Sequence, residues 1–104
     1  MADAFVFKRS PYGQQYAGDE PKAEAPLAPG EWAPPLTPTS EYVISNRIKA
    51  LVRCPLCKWD SAVGAKHRVL ADGTLKPSLV CPNKACAFHV WARLDGWTGG
   101  EIAP

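Results

Sequence analysis

The chain has 104 residues, with 12 Lys and Arg against 10 Asp and Glu, and four cysteines. That length allows one small domain at most, and no stretch approaches the roughly 18 apolar residues of a membrane span. The opening Met-Ala-Asp-Ala-Phe-Val-Phe-Lys-Arg-Ser places its acid before the apolar patch and its bases after it, the reverse of a secretory signal. The expected compartment is therefore a reducing cytoplasm, where cysteines bind metal or stay free, and no membrane partner is expected.

The formal charge of +2 conceals an asymmetry. Residues 1–46 carry three basic and six acidic side chains, whereas residues 47–94 carry nine basic and two acidic ones. Positive charge is thus concentrated on the cysteine-bearing segment, and such blocks suggest anionic partners. Solubility alone is the competing explanation for surface Lys and Arg.

Residues 1–39 read as an extended arm. Seven of the 11 prolines fall there, and the apolar residues Phe5, Phe7, Tyr12, Tyr16, Trp32 and Leu36 follow no sustained period. A segment of this kind buries too little apolar surface to offset its ordering entropy. Its aromatics read either as anchors for a protein partner or as residues of a loose tail. The fold is then expected from residues 40–97, with a short tail over 98–104 after Trp97.

Residues 40–52 admit two readings. Ile44, Ile48, Leu51 and Val52 fall on one helical face, with Ser40 as N-cap and Glu41 in the first turn. The alternative is a strand with Ile44, Ile48 and Val52 on one side. The reading taken is a short helix running into a strand at Leu51–Arg53. Residues 66–80 read as a hairpin about Asp72-Gly73, with Pro77 forcing its returning strand to an edge or to a start beyond it. From Phe88 to Leu94 the chain alternates: Phe88, Val90, Ala92 and Leu94 point one way, and His89, Trp91 and Arg93 the other.

The cysteines form two pairs, Cys54-Pro55-Leu56-Cys57 and Cys81-Pro82-Asn83-Lys84-Ala85-Cys86. Each short pair places two sulfurs at the tip of a tight turn, and two such turns facing each other make a tetrahedral four-sulfur cage that suits zinc. The intervening stretch is long enough for a hairpin that returns the chain to the first pair. Four cysteines fill the cage, so one structural Zn2+ is expected rather than a catalytic ion with an open position. Two disulfides, rubredoxin-like iron and a thioredoxin-like redox pair are the competing readings. His67 or His89 replacing a cysteine is a further one, although each lies in an expected strand.

Cys-Pro-x-Cys, a hairpin, a second cysteine pair and a closing strand follow the plan of a zinc ribbon. With Asn83 inside the second pair and Phe88 after it, the segment resembles the Ogr/Delta family of phage late-transcription activators. It is also similar to the C-terminal zinc ribbons of type I topoisomerases. The matching positions are Cys54, Pro55, Cys57, Cys81, Asn83, Cys86 and Phe88, within about residues 51–95. The chain departs from these patterns in the long segment before Cys54 and in Lys58, where many ribbons have Gly. The resemblance implies a ribbon of about three antiparallel strands that contacts nucleic acid or RNA polymerase.

The expected fold is therefore a small zinc-stabilised β domain with a preceding short helix or strand and an extended N-terminal arm. The first functional expectation is nucleic-acid association. Trp91 would stack on bases, flanked by His89 and Arg93, and Lys66, Arg68, Lys76 and Lys84 would supply phosphate contacts. The second is a small accessory subunit of a larger assembly, such as a phage virion, held through the arm. No Gly-rich phosphate loop, Ser-His-Asp set or carboxylate pair supports an enzyme, and no small-molecule substrate is expected.

Overall fold

A computed structural model describes residues 3–11, 13, 27–36 and 38–104. The elements in chain order are β1 (Asp3–Arg9), β2 (Glu31–Ala33), α1 (Glu41–Ser45), β3 (Ala50–Arg53), β4 (Asp60–Val63), β5 (Arg68–Val69), β6 (Leu75–Lys76), β7 (Leu79–Val80) and β8 (His89–Leu94). Six strands form one mixed sheet in the order β4-β3-β2-β1-β8-β7, and β5 and β6 pair as a separate hairpin.

β1 occupies the middle of the sheet and runs parallel to both its neighbours, with Phe7 opposite Leu94 on one side and Arg9 opposite Trp32 on the other. Residues that pair across strands share a face. The inward face carries Phe5 and Phe7 of β1, Trp32 of β2, Val52 of β3 and Val90, Ala92 and Leu94 of β8. Val69 and Leu75 of the hairpin close over them, and Phe7, Val69, Leu75 and Leu94 are 0 % exposed. Phe5, Phe7 and Phe88 meet edge to face with ring centroids 4.8–6.2 Å apart.

This architecture corrects the reading of residues 1–39 as an arm outside the fold. Phe5-Val6-Phe7 is an alternating strand whose partner lies at the far end of the chain. Trp32 fills the core, and its indole Nε1 donates to the Asp95 carbonyl at 2.7 Å. The expected three-stranded antiparallel ribbon is not the arrangement found: β3–β4 and β7–β8 are antiparallel pairs at opposite edges of one mixed sheet, because β1 and β2 insert between β3 and β8. Tyr12 and Tyr16 lie outside the described residues, and Leu36 is exposed.

Other expectations hold. Ser40 caps α1 by accepting from the Val43 amide at 3.2 Å, and the chain runs on into β3. The helix is a single turn and a half, so Ile44 is exposed rather than part of a long apolar face. The β5–β6 hairpin turns at Asp72-Gly73, where the Asp72 carboxylate accepts from the Thr74 amide at 2.9 Å. Gly73 adopts φ +91°, and a Cβ there would run into the Leu94 carbonyl and lie 2.9 Å from the Trp97 Cβ. A left-handed backbone and a blocked Cβ together cost on the order of 2–3 kcal/mol, so Gly73→Ala should lower the unfolding free energy by that amount in a urea titration. Among the described residues, no helix is long and apolar enough to cross a membrane.

The outer face of the sheet is covered unevenly. Over β2, β3 and β4, the side chains of Leu27, Ile48 and Val43 pack on Ala33, Leu51 and Ala62. Over β1, β8 and β7 no described segment does the same, and Val6 (43 %), Trp91 (55 %) and Val80 (59 %) are exposed there.

Candidate metal centre and basic strand face

Each cysteine pair sits at the tip of a hairpin. Cys54 and Cys57 lie between β3 and β4, and Cys81 and Cys86 between β7 and β8. These hairpins form opposite edges of the sheet. Strand directions place both tips at the same end, and curling of the sheet brings them together. Each turn is tied at its base: the Cys54 amide donates to the Trp59 carbonyl at 2.9 Å and the Cys81 amide to the Phe88 carbonyl at 2.9 Å. Arg53 and Asp60 close the first hairpin with paired hydrogen bonds of 2.6 and 3.0 Å. In the second turn Asn83 accepts from the Ala85 amide at 3.1 Å, an Asx turn that accounts for Asn at this position. Lys58 takes φ +66°, the left-handed backbone that suits Gly.

The four sulfurs lie within 4.8 Å of one another. Cys54 and Cys86 are 3.7 Å apart at sulfur, and Cys57 and Cys81 3.5 Å. A tetrahedral ion with metal–sulfur bonds of about 2.3 Å requires sulfurs about 3.8 Å apart, whereas a disulfide requires about 2.05 Å. The spacing therefore fits four ligands about a metal ion and does not fit two disulfides.

Burial works against ionising Cys57, but hydrogen bonds from the Trp59 backbone, the Asn83 side chain, Cys81 and Cys54 outweigh it and draw the thiol down to about 6. Burial pushes the Cys81 thiol up to about 12, and hydrogen bonding with Cys57, Cys54 and Cys86 adds to the rise. Cys86 is raised as well: a hydrogen bond from the Phe88 backbone lowers it, and burial with Cys54 and Cys57 more than offsets that. Adjacent sulfurs cannot all become anions without a cation among them, and a divalent ion supplies that charge.

Neither histidine joins the cluster. His67 Nε2 lies 3.3 Å from the Ser78 carbonyl, and His89 Nε2 lies 2.6 Å from the Ser78 hydroxyl.

The alternation expected for β8 is present: His89 and Trp91 are exposed, Arg93 is half-buried, and Val90, Ala92 and Leu94 are buried. Trp91 has Ala4 of β1 beside it and Arg93 has Val6, with Lys8 continuing that face of β1. Arg68 and Lys76 pair in the separate β5–β6 hairpin, whose Val69 and Leu75 face the core, and both are exposed. Arg68 is paired with Glu101 at 3.0 Å and Arg93 with Asp95 at 3.5 Å. Lys66, in the turn before β5, and Lys84, in the second cysteine turn, are exposed. Sequence reasoning missed Lys8 and Val6, because β1 had been read as part of the arm.

Fold and site together define a small β-rich protein in which four clustered cysteines can hold a metal ion. Comparison with known protein families, with curated proteins and with solved structures gives no match to this chain.

Proposed function

We propose that the chain is a non-enzymatic, zinc-stabilised protein of zinc-ribbon type that binds single-stranded nucleic acid, or a complex that carries it, through the outer face of β8. Zinc is the ion that four thiolates in a closed tetrahedral set favour, and the closed set makes it structural rather than catalytic. The observation that carries the binding role is Trp91: it is 55 % exposed and set between His89 and Arg93 on one strand face. An indole held open beside the Arg93 guanidinium can stack on a base while the guanidinium follows a phosphate.

Fluorescence anisotropy with short labelled DNA and RNA strands tests this. Stacking on one aromatic is worth roughly 1–3 kcal/mol, so Trp91→Ala should weaken binding by about ten-fold or more. Lys76→Gln should instead reduce the slope of log affinity against log salt by about 0.7–1. A folded, metal-loaded protein with no measurable affinity for any strand at low salt would contradict the proposal.

A second reading is favoured by Val6 and Val80, which flank Trp91 with apolar exposed surface. The same face would then dock on a protein, and the chain would act as a small accessory subunit of a larger assembly, such as a phage virion. That reading expects Trp91→Ala to abolish assembly with the partner while leaving nucleic-acid affinity absent throughout.

A further inference from the structure

We propose that the cleft bordered by α1, the Trp32–Trp97 pair and the C-terminal segment is a binding site for a small organic anion that carries a planar ring. It shares no residue with the Trp91 strip and does not depend on the nucleic-acid reading.

The cleft has a volume of about 550 Å3, within the range of small-ligand sites. Its aromatic wall is built before any ligand arrives. The Trp32 and Trp97 rings lie 5.7 Å apart at 48°. Trp32 is fixed by its hydrogen bond to the Asp95 carbonyl, and Trp97 by donation from Nε1 to the Gly100 carbonyl at 2.8 Å. Gly99 lies against the Trp97 ring, where a Cβ would come within 2.7 Å of Cζ2, so backbone rather than a side chain borders the indole. Trp32, only 3 % exposed, backs this wall from the core, so a planar ligand would stack on the half-buried Trp97 ring, which loses no further freedom when it does so.

The charge of the cleft is one-sided. Arg9, Arg47 and Lys49 line it, and among the described residues no Asp or Glu does. None of the three makes an ion pair with a described Asp or Glu. The Arg9 guanidinium sits 5.2 Å from the centre of the Trp32 ring. Arg47 spends one of its donors on a main-chain oxygen of Pro104, the last residue of the 104, at 2.7 Å. Lys49 is only 8 % exposed, and its Nζ donates to the carbonyls of Gly64 at 2.8 Å and Arg47 at 3.3 Å. An ammonium has three donors and no acceptor, so one remains for a ligand. Burial first, and then the charge of Arg47, hold Lys49 below the usual lysine range. Arg9 and Lys49 stand on this apolar wall with no described Asp or Glu beside them, and a bound anion would offset the cost of holding them there.

The probe for this site is anilinonaphthalene sulfonate, compared with its uncharged parent N-phenyl-1-naphthylamine, on the full chain. The anionic probe should saturate one site per chain. It should shift the amide signals of Ile44, Gly96, Thr98 and Gly99 and the indole signals of Trp32 and Trp97. Hydrogen bonds to charged groups are worth enough that the uncharged parent should bind about ten-fold more weakly or worse, and Arg47→Gln and Arg9→Gln should each cost a comparable factor. Trp91→Ala should leave the affinity unchanged. Thermal melting checks that each variant is folded; if Arg9→Gln perturbs Trp32 and the fold, Arg47→Gln alone decides. Equal affinity for the two probes, arginine variants that are folded and bind normally, shifts that map to Trp91 and Val80, or no saturable binding would each overturn the assignment.

Discussion

Replacing Cys81 by serine is expected to yield a chain that neither holds metal nor melts cooperatively. Cys81 is buried, its backbone is tied to Phe88, and its sulfur faces that of Cys57 at 3.5 Å. Zinc bound by a closed thiolate set contributes on the order of 10–16 kcal/mol to folding in small modules, while a whole domain is stable by only about 5–15 kcal/mol. Losing one of four ligands therefore removes most or all of the net stability. Elemental analysis should find less than stoichiometric metal, and circular dichroism should show no sharp transition. Cys57→Ser is the control that separates coordination from packing, because Cys57 is only half-buried and contributes less to the core. Coordination predicts that both variants collapse alike. A cooperative melt retained by Cys57→Ser but not by Cys81→Ser would show that the sulfurs act as core atoms alone, and retention by both would exclude coordination as the source of stability.

Phe7→Ala should be the most damaging single change away from the cysteines. Phe7 is fully buried at the centre of the sheet, packed on Phe5 and Phe88 and placed opposite Leu94. Truncating a core phenylalanine costs about 3–5 kcal/mol. For a domain of this size that corresponds to a fall in Tm of about 15 °C or more. Removal of residues 1–39 altogether takes out β1 and β2, the two strands that join β3 to β8, and such a fragment should not fold even when zinc is supplied. A cooperative melt for the fragment starting at residue 40 would instead restore the boundary that the sequence suggests.

That boundary was misread for a physical reason. Signals carried by neighbouring residues were legible: the paired cysteines, the Asp72-Gly73 turn, the Ser40 cap and the alternation from Phe88 to Leu94. Each is a local pattern whose meaning does not depend on distant chain. β1 and β2 are different. Glu31–Ala33 is too short to show a period, and prolines surround it. Asp3–Arg9 alternates, but its neighbours are a strand on each side reached only through long connections, and parallel pairing leaves no hairpin turn to announce it. The net acidic, proline-rich composition of the surrounding segment then outweighed the Phe5-Val6-Phe7 pattern. The two-tryptophan cleft was hidden for the same reason, since Trp32 comes from the segment set aside as an arm. At the candidate metal centre the four cysteines were readable from spacing, whereas the convergence of two opposite sheet edges depends on the curl of the whole sheet.

The most direct test of the central claim is X-ray absorption at the zinc edge on the purified, folded protein, with the metal content measured on the same sample. The account predicts about one zinc per chain and a single shell of four sulfurs at about 2.3 Å. A shell containing nitrogen or oxygen, or a folded chain that carries no metal, would contradict it.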